Sequence, residues 1–367
     1  MAFELLPTTV RALRVEPLDI PLHAPFGIAG GALGLAANVL VTVELADGTL
    51  GHGEAAPFPA YNGETQAAAL AALRGAVNRL PGRDAADWAD LGAEFRAEAG
   101  PACGSARCAL ETALLDAVTG RQGLPLWRHF GGAGTELETD MTVTTGTPAG
   151  ARAAAADIRA RGIRIIKAKV GAGGPAADLA RIDAILEAAP GSPLVLDGNA
   201  GLSRAGAAEL VRGLRARGIT PLLLEQWLAK DDLDGLRALG AESGWTVAAD
   251  ESVTTAADAE RVARAGAAAV INIKLMKAGV AEALQVAAVA REAGLGLMIG
   301  GNVESILAMT MSACFAAGLG GFGYADLDTP LFLAANPFDG GFALDGGRIS
   351  VAGVAAGHGV RPRGLLL

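Results

Sequence analysis

Several things are scarce in this 367-residue chain, and each scarcity removes a class of protein. Only three cysteines occur, Cys103, Cys108 and Cys314, an odd number without metal-ligand spacing. Neither a disulfide scaffold nor a cysteine metal site is expected, and the thiols read as reduced and mostly buried. No apolar run approaches the ~18 residues that span a bilayer, so no membrane contact is expected. Met1-Ala2-Phe3-Glu4 lacks a basic segment leading into an apolar core, which argues against a secretory signal and for the cytoplasm. Aromatic residues make up 4 % and charged residues 19 %, and a formal net charge of −9 disfavours a nucleic-acid partner. Lysine is the most telling shortage. Of 30 basic residues, only Lys167, Lys169, Lys230, Lys274 and Lys277 are lysine.

What remains is a chain 51 % hydrophobic and rich in Ala and Gly, long enough for one large barrel or two domains. Residues 9–22 and 38–45 alternate as strands, and Ala46-Asp47-Gly48-Thr49 turns the second into Leu50–Glu54. Ala24–Ala36 and Ala55–Gly63 read as flexible apolar lid loops. Helical stretches at 65–79, 83–98 and 101–119, broken at Pro81-Gly82 and Gly100-Pro101, complete an α+β capping domain over 1–132. From Glu136 short apolar strands alternate with Ala- and Arg-rich helices, the mark of a parallel sheet. Eight strands, at 139–145, 163–170, 194–197, 221–225, 246–250, 269–274, 295–299 and 321–326, predict an α/β barrel over 133–330. The Gly-rich segment 331–367 is too short for an ordinary eighth helix and is expected to return to the capping domain.

The chemistry gathers at the strand ends. In Ile165-Ile166-Lys167-Ala168-Lys169-Val170, a period of 2 puts Lys167 and Lys169 on one side. Two buried ammonium groups are tolerable only where they face anions, a metal-bound substrate or water. The last polar residues of successive strands are Lys169, Asp197, Glu225, Asp250 and Lys274, separated by 28, 28, 25 and 24 residues. That is one βα unit each, which rings all five around the C-terminal mouth. Three carboxylates converging with no base between them call for a hard dication, and oxygen-only ligation indicates Mg²⁺. Asn199 and Asn272 read as supporting donors, although strand-end acids also cap helices. A lysine on each side of a metal-bound carboxylate suits two-base proton transfer through a stabilised enediolate. Lys167, behind Lys169, would lower its neighbour's pKa and help hold the substrate carboxylate.

At these residues the chain resembles the enolase superfamily, in the subgroup of muconate-lactonizing enzymes, o-succinylbenzoate synthases, N-acylamino acid racemases and dipeptide epimerases. The resemblance implies a (β/α)₇β TIM barrel with an α+β capping domain, usually as a homo-oligomer. It places catalytic lysines at Lys167, Lys169 and Lys274 and Mg²⁺ ligands at Asp197, Glu225 and Asp250. His23, His52, His129 and His358 lie away from the strand ends, which sets aside the histidine-base branch typified by mandelate racemase. Asp326 and Asp328, in Ala-Asp-Leu-Asp-Thr-Pro-Leu, face one way and offer two carboxylates to a cation. Dipeptide epimerases carry this Asp-x-Asp-x-Pro-Leu pattern to hold the dipeptide's ammonium. Thr142 and Glu304 match positions near substrate, with a strand role and a helix N-terminal role as alternatives.

Relatives specific for L-Ala-D/L-Glu have an arginine in the first lid, whereas Ala24–Ala36 contains neither arginine nor lysine. Phe26, Ile28, Leu33, Phe58 and Tyr61 suit an apolar side chain instead; Glu64 reads as a first-turn helix residue and Lys277 as a loop lysine. Trp227, where relatives often have proline, either narrows the pocket or packs. The expected activity is Mg²⁺-dependent epimerisation of L-Xaa-L-Xaa dipeptides with small or apolar side chains. N-acylamino acid racemisation, o-succinylbenzoate synthesis and a metal-free Schiff-base lyase remain as alternatives.

Overall fold

The computed structural model describes residues 7–28, 30–100 and 102–364, so the expectation drawn from Met1–Glu4 lies outside it. The chain opens with β1 (Val10–Ile28), β2 (Gly31–Leu45) and β3 (Leu50–Ala55), an antiparallel sheet in that order. The first lid is not a loop. After a register shift between Pro21 and Phe26, β1 and β2 resume pairing through Phe26↔Leu33, Gly27↔Ala32 and Ile28↔Gly31. Continued alternation buries both Phe26 and Ile28, so the lid is a hairpin stiffened by its own backbone bonds. The second lid holds the single turn α1 (Pro59–Asn62), started by Pro59 and closed by Gly63 at φ +81.

Next come α2 (Gln66–Ala76), α3 (Trp88–Ala99), α4 (Gly104–Arg121) and α5 (Leu126–His129). Nearly every residue of α4 is buried, because the helix runs between the cap sheet and the barrel. The approach to β3 needs glycine. A Cβ on Gly51 or Gly53 would sit 2.2 Å from Ala113 O or 2.0 Å from Ala109 O. Beyond β4 (Glu136–Glu138), eight parallel strands run as β5 (Met141–Val143), β6 (Ile166–Lys169), β7 (Leu194–Asp197), β8 (Leu223–Glu225), β9 (Val247–Ala249), β10 (Val270–Ile273), β11 (Gly296–Ile299) and β12 (Phe322–Ala325). A bridge between Thr139 and Ala325 joins first to last and closes the ring.

Seven helices fill the crossovers: α6 (Pro148–Ala160), α7 (Pro175–Ala188), α8 (Arg204–Ala216), α9 (Leu233–Ser243), α10 (Ala256–Ala265), α11 (Val280–Glu292) and α12 (Ile306–Leu319). Thr147, Ser203, Asp232, Thr255 and Ser305 cap five of them by accepting first-turn N–H bonds. After β12 there is only the 3₁₀ turn Thr329–Phe332, which makes the fold a (β/α)₇β barrel. The remaining chain forms β13 (Phe338–Gly340), β14 (Ala343–Asp345), β15 (Arg348–Ser350) and β16 (Val360–Pro362). β13 pairs with β16, and β14 and β15 join β4. Leu333 bridges to Leu22, and His358 Nε2 meets His52 O at 2.9 Å. Among the described residues no helix is long and apolar enough to cross a membrane.

Inside the barrel, alternation sorts the layers. Val195, Leu223, Ala248, Val270 and Met298 cluster as an apolar floor. Two residues further along four of those strands stand Asp197, Glu225, Asp250 and Asn272, all buried. One strand thus supplies both floor and site.

Candidate active site

Lys167 occupies the middle of the site. Its Nζ lies 2.9 Å from Asp197 Oδ2, 2.7 Å from Glu225 Oε2 and 2.7 Å from Asp326 Oδ2. Lys169 Nζ is 2.7 Å from Asp197 Oδ2. Lys274 Nζ is 2.8 Å from Asp250 Oδ2 and 4.3 Å from the centre of the Tyr61 ring. The expectation that the acids meet without basic partners is therefore wrong: each carboxylate is paired with a lysine from a strand one or two places away in the ring. Electrostatics follow from this pairing. Burial disfavours the Lys167 and Lys274 ammonium groups, but Asp197, Asp326 and Glu225 around the first, and Asp250 beside the second, prevail and raise both pKa values. Lys167 also pulls Lys274 down, but less than Asp250 raises it. Burial drives the Glu225 carboxyl up to about 6.

β6 and β10 stand four places apart in a ring of eight, so Lys169 and Lys274 face each other across the mouth. Between them is a cavity of about 20 Å³, closed by Phe26, Ile28, Phe58 and Tyr61 from the lids and bordered by Asn199, Asp326 and Asp328. That is room for about one water and not for a dipeptide, so the lids narrow the space over the chemistry. An adjoining cavity of about 460 Å³ shares Ile28, Tyr61 and Asn199 and adds Lys230, Glu251 and Lys277. A larger hollow of about 660 Å³, lined by Glu138, Arg164, Phe322 and Arg348, lies away from the lysines, at the opposite end of the barrel.

The supporting residues lock the acids. Asn272 Nδ2 donates to Glu225 Oε1 at 2.8 Å, and the Asn199 N–H donates to Asp197 Oδ1 at 2.9 Å. Asn199 at φ +40 and Gln226 at φ +38 sit in the left-handed region, where Gln226 Oε1 accepts from the Asp250 and Ser252 N–H groups. The Thr142 N–H donates to Asp328 Oδ2 at 2.6 Å, so Thr142 touches the site through its backbone. Glu304 does not border the cavity, though its partners Asn302 and Thr329 do. Nor does Glu304 cap α12, a task taken by Ser305 and Glu54. Tyr61 is more than an apolar lid residue, since its hydroxyl donates to Asp250 Oδ1 at 3.1 Å. Trp227 packs under β7 with Nε1 on Leu196 O at 2.9 Å and lines no part of the cavity.

Three readings need correction or addition. Lys277 is no loop lysine: it is buried, donates to the carbonyls of Asp250, Val253 and Asn272, and lies 2.8 Å from Asp250 Oδ1. Its rarity and its place three residues after Lys274 were the available signal. Glu64 precedes α2 and instead accepts the Gly104 and Ser105 N–H groups at the start of α4. Asp140 was missed, yet one oxygen from each of Asp140, Asp326 and Asp328 lies within 4.8 Å of the others. Its position two residues before Thr142, on the same strand face, could have revealed it.

The donor set suits a hard cation. Glu225 Oε2 and Asp250 Oδ2 are buried and make no aligned hydrogen bond, having only an ammonium beside them. Among the described residues the acidic trio with one oxygen each within 4.8 Å of the others is Asp140, Asp326 and Asp328, while Asp197, Glu225 and Asp250 are each drawn toward a lysine.

A capped (β/α)₇β barrel with opposed lysines and an acidic ring defines an enolase-type enzyme. Residues 10–131 match the mandelate racemase / muconate lactonizing enzyme N-terminal domain, and residues 150–364 match the enolase C-terminal domain-like family. The chain belongs to this mandelate racemase / muconate lactonizing enzyme family of the enolase superfamily. It is 52 % identical to the aromatic dipeptide epimerase of Herpetosiphon aurantiacus over 97 % of this chain and 99 % of that one. A crystal structure of a mandelate racemase/muconate lactonizing enzyme from Roseiflexus sp. superposes with a TM-score of 0.92 at 55 % identity, over 98 % of this chain and 100 % of that one. The dipeptide epimerase of Enterococcus faecalis V583, complexed with Mg and L-Leu-L-Tyr, superposes with a TM-score of 0.90 at 30 % identity, over 96 % and 99 % of the two chains.

Proposed function

We propose that this enzyme is a Mg²⁺-dependent dipeptide epimerase that inverts the C-terminal residue of L-Xaa-L-Xaa substrates with apolar side chains. One observation carries the reading: the opposed Lys169 and Lys274 and the paired Asp326 and Asp328 all border one lid-covered cavity. Two-base exchange needs a proton acceptor and a proton donor on opposite faces of the α-carbon, which the β6 and β10 placements supply. The resting environment keeps Lys274 charged and therefore ready to donate. Lys169 takes the proton in that direction, and the roles exchange in reverse. Asp197, Glu225 and Asp250 would hold Mg²⁺, which when bound supplies positive charge against the substrate carboxylate and makes the neighbouring proton more acidic. Lys167 binds as a permanent ammonium. Asp326 and Asp328 receive the substrate's α-ammonium, a group absent from N-acylamino acids and succinylbenzoates. Phe26, Ile28 and Phe58 exclude water and face the side chain being inverted.

The relatives named for aromatic and hydrophobic dipeptides support the apolar preference. The relatives named as dipeptide epimerases also weigh against a Schiff-base lyase. Homo-oligomeric assembly belongs to the same reading and is checked by light scattering. The deciding experiment is proton NMR in D₂O with Mg²⁺ and a panel of L-L dipeptides. The C-terminal α-proton signal disappears and the L-D diastereomer grows in. Exchange confined to N-acyl amino acids would overturn the proposal.

A further inference from the structure

Asp140 lies just ahead of β5, at the seam where the barrel closes. Its N–H donates to Ala325 O at 3.0 Å, which fixes its backbone against the strand that delivers Asp326 and Asp328. The side chain is 2 % exposed, and Asp140 Oδ1 has no hydrogen-bond partner. Asp328, 1 % exposed, shows the same gap: Oδ2 accepts the Thr142 N–H and Oδ1 is unpartnered. Oxygens of Asp140, Asp326 and Asp328 lie within 4.8 Å of one another, while Lys167 engages only Asp326 of the three. Burying Asp140 and Asp328 both as anions within one cluster of three acids, each with an unpartnered oxygen, is costly. A proton held by one of them lowers that cost.

We propose that Asp140 is a positioning residue for the ammonium site, a neutral carboxyl that donates a hydrogen bond to Asp328 and holds its carboxylate toward the cavity. The inference rests on the reading of Asp326 and Asp328 as the receptor of the dipeptide's α-ammonium. The charge balance favours it. Burial and the Asp326 charge raise the Asp140 carboxyl well above the usual range, against the pull of Lys167, and burial with Asp326 pushes Asp328 up to about 7. Asp140 thus sets how many negative charges the pocket presents without touching substrate. Binding of a free amine depends on it; the proton transfer at Lys169 and Lys274 does not.

The test is steady-state kinetics of the full chain with Mg²⁺, using an apolar L-L dipeptide and its N-acetyl derivative. The unmodified enzyme prefers the free amine. Asp140→Ala raises KM for that dipeptide about 10- to 100-fold, the loss of a hydrogen bond to a charged group, with kcat within about threefold. Asp140→Asn, whose amide still donates, stays within about threefold of the parent in both constants. A merely structural role would lower kcat and thermal stability without this KM split. If Asp140→Ala does not fold, Asp140→Leu, close in size and without a donor, carries the same expectation. An unchanged KM in the truncated variant overturns the inference, and so does an Asn variant as impaired as the Ala one. A parent enzyme indifferent to acetylation overturns the ammonium-site reading itself, and this inference with it.

Discussion

Two groups of buried carboxylates divide the molecule. In the capping domain and its contact with the barrel, Glu54, Glu64, Glu111 and Asp116 are all satisfied. Glu54 takes the Asn38 amide, the Ser305 hydroxyl and the N–H groups of Ser305 and Ala308, so it closes the start of α12. Glu111 takes Arg107 and the Val280 and Ala281 N–H groups at the start of α11. Asp116 takes the His52 and His358 N–H groups, fastening the returning tail. At the mouth, by contrast, Asp140, Glu225, Asp250, Glu251, Glu304 and Asp328 each keep one buried oxygen without a hydrogen bond. The first group is spent on backbone donors. Within the second, Asp328 borders the cavity between Lys169 and Lys274 whereas Glu304 and Asp140 do not, so the unpartnered oxygens mark the mouth of the barrel rather than any one role.

The largest break in this contrast comes from Glu225→Gln. Activity falls by about 10²–10³-fold, while thermal stability is unchanged or rises, because Lys167 keeps Asp197 and Asp326. Assaying α-proton exchange beside a melting curve checks both halves. Glu54→Leu does the reverse. Stripping the Ser305 and Ala308 N–H groups of their acceptor costs about 3 kcal/mol in denaturant unfolding, and the fraction that folds still turns over.

A pH series sharpens the comparison. Burial pushes the Glu304 carboxyl up to about 8, with the Asn302 N–H opposing and Glu54 reinforcing. A raised carboxyl stabilises the fold fully below its ordinary value of 4.5 and loses that contribution as pH rises through 8. Between about pH 5 and about pH 9 the parent should therefore lose about 2–5 kcal/mol more stability than Glu304→Gln. Equal slopes would show that Glu304 is ionised in the fold. The smallest effect is expected from Trp227→Phe. Loss of the bond to Leu196 O costs about 1 kcal/mol, and KM is unchanged because the ring lies outside the cavity.

Much of the architecture is legible in the chain. All eight barrel strands fall where the apolar runs place them, because a short buried strand announces itself by composition and by Gly or Pro at its ends. The first lid was misread for a physical reason: Gly and Ala carry weak strand propensity, and only pairing across Phe26↔Leu33 makes 24–36 a hairpin. The acidic residues of the ring were found by their regular spacing. Lys277 and Glu64 were not, since what matters for each is a partner from another element rather than a local pattern.

The sequence by itself determined which side chains point into the barrel and at what height, because alternation and strand length are properties of a few consecutive residues. Val195 and Asp197, Leu223 and Glu225, Ala248 and Asp250 each place floor and site by a step of two. Only the tertiary structure decided who pairs with whom. Lys167 meets Asp326 across 159 residues, and Glu54 meets Ser305 across 251. Ring closure and the docking of the cap create those neighbours. There the neighbouring carboxylates outweigh the burial that disfavours the Lys167 ammonium, burial raises the Glu304 and Asp140 carboxyls, and a few oxygens stay unclaimed.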